Sequence, residues 1–271
     1  MIIGNTLKVT LMAITIAIAS GKGGTGKTTI AANLAVALAK FGKKVAVLDA
    51  DIAMANLELI MGLEGKPITL NDVLAGKADI RDAIYEGPEG VLVIPAGISL
   101  EKFRRAKPEK LEEVLKAIHD LVEILIIDCP AGIGKETLIA ISSADGLIVV
   151  VNPEISSISD ALKIIAITKR LGTEILGAIV NRVSNESTEL GVKAIETILE
   201  VPVIGVVPED PHVRKAAAFG TPLVIMYPDS PAAQAIMEIA AKLIGVKYEA
   251  KVKKKKESFI SRFIKGLFRG R

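Results

Sequence analysis

The chain of 271 residues is half apolar but only 3% aromatic, and it contains a single cysteine. One cysteine excludes an internal disulfide and a cysteine-ligated metal centre, and it favours a cytosolic protein. The net charge of +3 is unevenly divided, because residues 251–271 hold nine Lys or Arg and one Glu and leave 25 basic and 30 acidic side chains in the body.

Short apolar segments alternate with helix-length segments along residues 13–245. Strands are predicted at 13–19, 45–49, 91–95, 123–128, 146–151, 175–180 and 203–207. Helices are predicted at 27–40, 108–120, 156–171, 187–199 and 230–244, with less regular short helices within 52–86. This alternation predicts an α/β fold with a doubly wound, mostly parallel sheet and helices on both faces. Ligands of such sheets bind at the carboxyl ends of the strands.

The N-terminal segment resembles a secretion signal, because the apolar run that follows Lys8 ends in Ala17-Ile18-Ala19. We interpret it instead as the first strand, since it leads directly into a motif that needs one. No stretch reaches the ~20 apolar residues that cross a bilayer. Residues 1–12 are therefore predicted to be an extension and residues 13–248 the main domain.

The segment "GKGGTGKTT", residues 21–29, matches the pattern G-x-x-x-x-G-K-[ST]. Its glycines allow backbone N–H groups to surround a phosphate chain, and the helix that follows directs its positive end at the same anion. Lys27 is expected to reach the β- and γ-phosphates of ATP, and the hydroxyl of Thr28 to bind Mg²⁺. The other expected nucleotide-binding residues of the loop are Gly21, Lys22, Gly23, Gly24, Thr25, Gly26 and Thr29.

Lys22 is a second cation in this loop, and spacing alone leaves open that it is a solvated turn lysine. The segment "KGGTGKTT" resembles the deviant Walker A motif of the MinD/ParA family of P-loop ATPases, and the resemblance spans about residues 13–245. It implies that Lys22 crosses a dimer interface to touch the partner's phosphates, much as an arginine finger does. An ATP-sandwiched homodimer follows, with Lys22 and Lys27 in catalytic roles.

Three aspartates lie at or just after the ends of predicted strands, in "VLDADIAMANLE" and "EILIIDCPAGIG". The resemblance implies that Asp51, in switch I, orients the attacking water and contacts the metal shell. Asp49 supports the metal shell or the loop, unless it only terminates its strand. Asp128 has a Walker B position and is expected to hold Mg²⁺ through a water, and the "DCPAG" that begins with it resembles switch II.

Two further residues are candidates for the base side of the site. Asn181, in "GAIVNRV", follows a strand, and in the family the Asn of such an NR pair binds adenine. Asp210, in "VPEDPHV", lies in a segment that resembles a second family loop bordering the base. Taken singly, both also fit ordinary loop residues.

The C-terminal segment "KVKKKKESFISRFIKGLFRGR" predicts a Lys-rich linker, residues 249–257, and an amphipathic helix, residues 258–271. At about 100° per residue the six apolar side chains occupy one half of a helical wheel, and Arg262, Lys265 and Arg269 lie on the other half. Such a helix is about 21 Å long, too short for a ~30 Å hydrocarbon core, and is expected to lie on an anionic membrane surface. Docking on the body is the alternative.

Together with the basic tail, the resemblance implies a MinD-like ATPase, peripheral on the inner face of the cell membrane, that acts as a spatial regulator of cell division or positioning. Its slow ATP hydrolysis is expected to be stimulated by a protein activator or effector. A ParA-like DNA-partition ATPase is the first alternative, but it needs basic residues spread over the folded dimer. The acidic body argues against that reading, so no specific nucleic acid is expected. A flagellar-placement relative is a further alternative that the sequence does not separate.

Overall fold

The computed structural model describes residues 13–52, 54–97, 107, 110–184 and 186–249. The predicted N-terminal extension, the amphipathic helix 258–271 and all but the first residue of the Lys-rich linker lie outside the described residues. The predicted main domain is described almost completely.

Eight strands form a single sheet in the order β3-β4-β2-β5-β1-β6-β7-β8, parallel throughout except between β3 and β4. They are β1 (Ile14–Ala19), β2 (Val45–Asp49), β3 (Tyr85–Glu86), β4 (Leu92–Ile94), β5 (Ile124–Asp128), β6 (Gly146–Val151), β7 (Glu174–Val183) and β8 (Val203–Pro208). All seven predicted strands are confirmed, β7 being longer than predicted. The two-residue strand β3 was missed because two residues show no periodicity.

Ten α-helices connect or flank the described strands. They are α1 (Lys27–Lys40), α2 (Leu57–Ile60), α3 (Leu70–Leu74), α4 (Leu111–His119), α5 (Lys135–Ser142), α6 (Ile155–Leu171), α7 (Val192–Leu199), α8 (Pro211–Ala218), α9 (Leu223–Met226) and α10 (Pro231–Ile244). The helix predicted at 187–199 begins only at Val192. The backbone N–H and hydroxyl of Ser184 both donate to the Glu189 carboxylate, which closes a loop where the helix was expected.

The sheet separates two apolar layers. One layer packs α1, α2, α8, α9 and α10 against the sheet, and the other packs α3 to α7. Every residue of β2, β5 and β6 is buried, as expected of parallel strands covered on both faces. These layers confirm the doubly wound fold. None of the described helices has both the length and the apolarity to cross a bilayer.

The sheet reverses its winding direction beside β1, which lies between β5 and β6. The chain leaves β1 through α1 toward β2 on one side, and it passes from β5 through α5 to β6 on the other side. The connections therefore diverge at the carboxyl end of β1 and leave a crevice there. The phosphate loop predicted from the sequence follows β1 and lies at this crevice.

Candidate functional site

The phosphate loop adopts a backbone that requires glycine at two of its positions. Gly24 and Gly26 have φ angles of 80° and 86°, in the left-handed region that side chains disfavour. A Cβ at Gly26 would also collide with the side-chain amide of Asn181. The first turn of α1, directly after Gly26, carries no acidic side chain. The positive end of α1 is therefore available to an anion in the loop.

A buried ion pair joins the loop to β5. The Nζ of Lys27 lies 2.6 Å from Oδ1 of Asp128, and both side chains are almost inaccessible to solvent. Burial raises the pKa of Asp128 despite the opposing effect of Lys27. Burial acts to lower the pKa of Lys27, but the Asp128 carboxylate outweighs it and the pKa is raised. Each of the two buried charges therefore stabilises the other.

Two oxygens of the site are buried and, within the described residues, accept or donate no hydrogen bond: Asp128 Oδ2 and Thr25 Oγ1. Buried polar atoms normally have partners, so both positions suit a ligand. Thr28, whose Oγ1 lies 3.5 Å from the Nζ of Lys27, adds a further hard oxygen. Mg²⁺ prefers such oxygen ligands. The residues present therefore fit the predicted metal, with Thr28 and Asp128 as the groups that would hold it, directly or through water.

Asp49 lies beside Asp128 across the β2–β5 pair, but its oxygens face the backbone of the next loop. Oδ1 accepts the N–H of Asp51 at 2.9 Å, and Oδ2 accepts those of Asn56 and Leu57 at 3.2 Å. Burial and the nearby Asp128 raise the pKa of Asp49 to about 8. The geometry thus shows Asp49 organising the loop, as one of its two predicted roles, and its contact with the metal shell stays a prediction.

Asp51 and Lys22 lie nearer the rim of the crevice. The half-buried Asp51 accepts the N–H of Met54 at 3.0 Å, and its charge contributes to the raised pKa of Asp128. The Nζ of Lys22 lies 2.9 Å from both Oε2 of Glu154 and Oγ of Ser156, at the start of α6. Lys22 is therefore held by its own chain, and its side chain is 31% exposed.

A cavity of roughly 200 Å³ borders the loop on the side of β7 and β8. Among its lining residues are Gly24, Gly26, Thr29, Asn181, Arg182, Pro208, Glu209 and Asp210. The side-chain nitrogen of Asn181 donates to the carbonyl of Thr25 at 2.7 Å. This amide therefore serves the phosphate loop, and its contact with adenine remains a prediction.

Asp210 also lines this cavity, but its oxygens are engaged by the protein. Oδ1 accepts the backbone N–H of His212 at 2.9 Å, and Oδ2 accepts that of Ala232 at 3.2 Å. These bonds tie together the first turns of α8 and α10, and they help to lower the pKa of Asp210 although burial acts to raise it. Its predicted base contact is untested, and its structural role was not predicted.

Three side chains around the site were not singled out from the sequence. Glu154 binds Lys22, and Arg182 bridges Gly24 and Glu209. Arg182 and Glu209 could have been found from the sequence, because they lie next to the predicted residues Asn181 and Asp210. Glu154 could not have been found in this way, because no recognisable motif surrounds it in the sequence.

The sequence model of the CobQ/CobB/MinD/ParA nucleotide binding domain matches residues 16–223. The chain belongs to the MinD/ParA family. The match spans all of the predicted site residues, from Gly21 to Asp210, and confirms the family resemblance. The fold and the family together make this chain a P-loop ATPase of the MinD/ParA family.

Individual relatives within the MinD/ParA family agree with this assignment. An ATP-binding protein of Methanocaldococcus jannaschii is 96% identical over 96% of this chain and 98% of its own length. The septum site-determining protein MinD of Bacillus subtilis is 35% identical over 93% of this chain and 97% of its own. The structure of MinD from Pyrococcus horikoshii in complex with Mg-ADP has a TM-score of 0.83 and 42% identity, covering 86% of this chain and 96% of that one. These likenesses support ATP and Mg²⁺ as the cofactors.

Proposed function

We propose that this chain is a MinD-like ATPase whose ATP-dependent homodimerisation controls reversible binding to an anionic membrane. The proposal joins three parts of the molecule: the nucleotide crevice, the surface around Lys22 and the basic tail. Each part contributes a separate step, and each step is open to a separate measurement.

The observation that carries the dimer is an exposed apolar rim around the nucleotide crevice. Met54, Ile133 and Ile155 are 71%, 47% and 75% exposed. They lie in the segments after β2, β5 and β6, at the carboxyl edge of the sheet. Exposed apolar groups that gather at one edge are typical of a surface that another molecule covers. A second copy, placed over this rim, would bury them and bring its own Lys22 to the facing nucleotide.

The chemistry of the proposed ATPase follows from the carboxylates and cations of the crevice. Lys27 and the amino end of α1 bind the phosphates, and Thr28 and Asp128 would hold Mg²⁺, which would supply positive charge to neutralise the phosphates. Asp51, at the rim, orients the attacking water. Lys22 of the facing subunit stabilises the charge that develops on the transferred phosphoryl group. Hydrolysis then removes the γ-phosphate that holds the dimer closed.

The membrane step rests on the sequence of residues 258–271. Each basic residue near an anionic leaflet contributes about 1 kcal/mol, so one tail binds reversibly. Two tails on one dimer raise the avidity by about 10²–10⁴-fold. ATP-driven dimerisation would therefore become membrane attachment, and hydrolysis would become release.

The test is co-sedimentation with anionic liposomes in the presence of ATP, ADP or no nucleotide. The intact protein is expected to sediment much more with ATP than with ADP. Deletion of residues 258–271 should abolish sedimentation while ATP binding is preserved. A parallel assay with duplex DNA tests the DNA-partition alternative, which predicts ATP-dependent binding to DNA instead.

A matched pair of substitutions sharpens the liposome test. Phe263→Glu places a negative charge on the apolar half of the predicted helix, and Ser258→Glu places the same charge on the polar half. The first should abolish liposome binding and the second only weaken it. Equal effects of the two, or binding by the truncated protein, would contradict an amphipathic membrane helix.

A further inference from the structure

Arg182 has a backbone conformation that is rarely adopted without a reason. Its φ is 63°, in the left-handed region, although it carries a long side chain. Within the described residues only Glu89 and Glu200 share this property among non-glycine residues. Strained backbone positions persist where the surrounding structure enforces them, and they concentrate at functional sites.

The strained backbone directs the guanidinium of Arg182 across the mouth of the site. Its Nε donates to Oε2 of Glu209 at 2.8 Å, and one terminal nitrogen donates to the carbonyl of Gly24 at 3.2 Å. Glu209 is itself held by a backbone bond from its N–H to the carbonyl of Val183 at 2.9 Å. The side chain thus links the phosphate loop to the segment between β8 and α8.

The two carbonyls fixed from β7 belong to consecutive residues of the phosphate loop. Arg182 binds the carbonyl of Gly24, and Asn181 binds that of Thr25. In a trans peptide the carbonyl and the following N–H point in opposite directions. Holding both carbonyls toward β7 therefore turns the N–H groups of Thr25 and Gly26 away from β7, toward the interior of the loop.

We propose that Arg182 is a positioning residue of the phosphate loop, which presets the peptide plane between Gly24 and Thr25 for binding a polyphosphate. Glu209 holds the guanidinium in place, and its hydrogen bond raises the pKa of Arg182. The Arg182–Glu209 pair is 43% and 37% exposed, so it adds little to folding stability. A gain in folding stability therefore does not account for the left-handed backbone of Arg182, whereas a role in ligand binding does.

The experiment compares Arg182→Gly with Glu200→Gly. Both substitutions place glycine where the backbone is left-handed, and so both remove the same kind of backbone strain. Glu200, however, caps the end of α7 and contacts only Lys169 among the ion pairs described. Binding of Mg-ADP and of inorganic tripolyphosphate is measured by competition with a fluorescent ADP analogue. Neither probe requires dimerisation or membrane binding, so the result is independent of the proposed function.

Arg182→Gly is expected to weaken Mg-ADP and tripolyphosphate by the same factor, about tenfold or more, which corresponds to the loss of one charge-assisted hydrogen bond. Its melting temperature without nucleotide should stay equal to or above that of the wild type. Glu200→Gly should keep wild-type affinity for both probes. The equal factor distinguishes loop positioning from a contact with the base, since tripolyphosphate has no base.

Two results would overturn the proposal. One is an Arg182→Gly variant that binds tripolyphosphate as tightly as the wild type, which would limit the residue to the base or to no ligand. The other comes from Glu209→Gln, which keeps the backbone of Arg182 and removes the charge that anchors it. This variant should weaken both probes by a smaller common factor. Unchanged binding would overturn the proposal, because Arg182 would then act without the Glu209 anchor that is said to position it.

Discussion

The base side and the metal side of the nucleotide site differ in how completely their polar groups are paired. On the base side Asn181, Arg182 and Asp210 all hydrogen-bond to protein groups. On the metal side, within the described residues, Asp128 Oδ2 is buried without a partner, and in the phosphate loop so is Thr25 Oγ1. The base side is therefore preorganised, whereas the metal side is complete only when a ligand supplies the missing contacts.

This difference separates two functions within one crevice. A prearranged wall loses little conformational entropy when nucleotide binds. An incomplete metal side responds to the charge of what binds there, which is what a nucleotide-dependent switch requires. The Lys27–Asp128 ion pair links the phosphate loop to β5 on the metal side. The largest predicted effect on nucleotide affinity and folding stability comes from removing Lys27.

Substitution Lys27→Ala should reduce nucleotide affinity by about 100-fold or more, because the main cation for the phosphates is lost. It also leaves Asp128 buried without its partner, which should lower the free energy of unfolding by about 3 kcal/mol or more. Fluorescent nucleotide binding and urea unfolding would measure the two effects.

The matched control for this substitution is Lys40→Ala, at the other end of α1. Lys40 pairs with Glu89 at 3.0 Å, and both side chains are partly exposed. Its loss should change stability by less than about 1 kcal/mol and leave nucleotide binding intact. Similar losses in the two variants would show that the buried pair has no special role.

Prediction from sequence succeeded where a local pattern has one physical meaning. Seven of the eight strands and α1 follow from apolar alternation, and the structure confirms them. The phosphate loop follows from glycine spacing, and the structure places it directly after β1. The side-chain partners of Asp49 and Asp210 did not follow, because a carboxylate at a strand end suits metal, base or backbone equally. Their actual partners come from distant segments, such as Ala232 for Asp210, which only the tertiary structure brings close.

The second prediction concerns Lys22, whose ammonium binds Glu154 and Ser156 of its own chain. Lys22→Ala should bind ATP as a monomer yet fail to dimerise or hydrolyse it. Folding should be unaffected, since exposed ion pairs contribute about 0–1 kcal/mol. Analytical ultracentrifugation with ATP and a phosphate-release assay would test this. Normal dimerisation and turnover would return Lys22 to the role of a solvated lysine.

A third prediction uses the pKa of Asp49, which is raised to about 8 from about 3.9 in the unfolded chain. Between these values the folded state holds a proton that the unfolded state has lost. Asp49 should therefore make the free energy of unfolding fall as pH rises from about 4 to about 8, by at most about 1.4 kcal/mol per pH unit. Asp49→Asn, which mimics the protonated form, should flatten the profile. Parallel urea-unfolding profiles of the two proteins would contradict this assignment.

The smallest predicted effect lies on the base side, at Asn181. Its amide both donates to Thr25 at 2.7 Å and lines the cavity. Asn181→Ala leaves the Thr25 carbonyl without this donor and should cost about 1 kcal/mol of folding stability. Nucleotide affinity should fall by about tenfold, because the phosphate loop is then less firmly held in the conformation that binds nucleotide.

The ratio of ATP to GTP affinity decides which role Asn181 has. If its amide reads adenine, Asn181→Ala should lower that ratio, because the discriminating contact disappears. If it only holds the loop, both affinities should fall together and the ratio should remain unchanged. Arg214→Ala is the control, since Arg214 borders the same cavity but is 79% exposed and lies 3.7 Å from Glu209. An unchanged ratio would assign both residues of the NR pair to the phosphate loop and leave recognition of the base to other groups of the cavity wall.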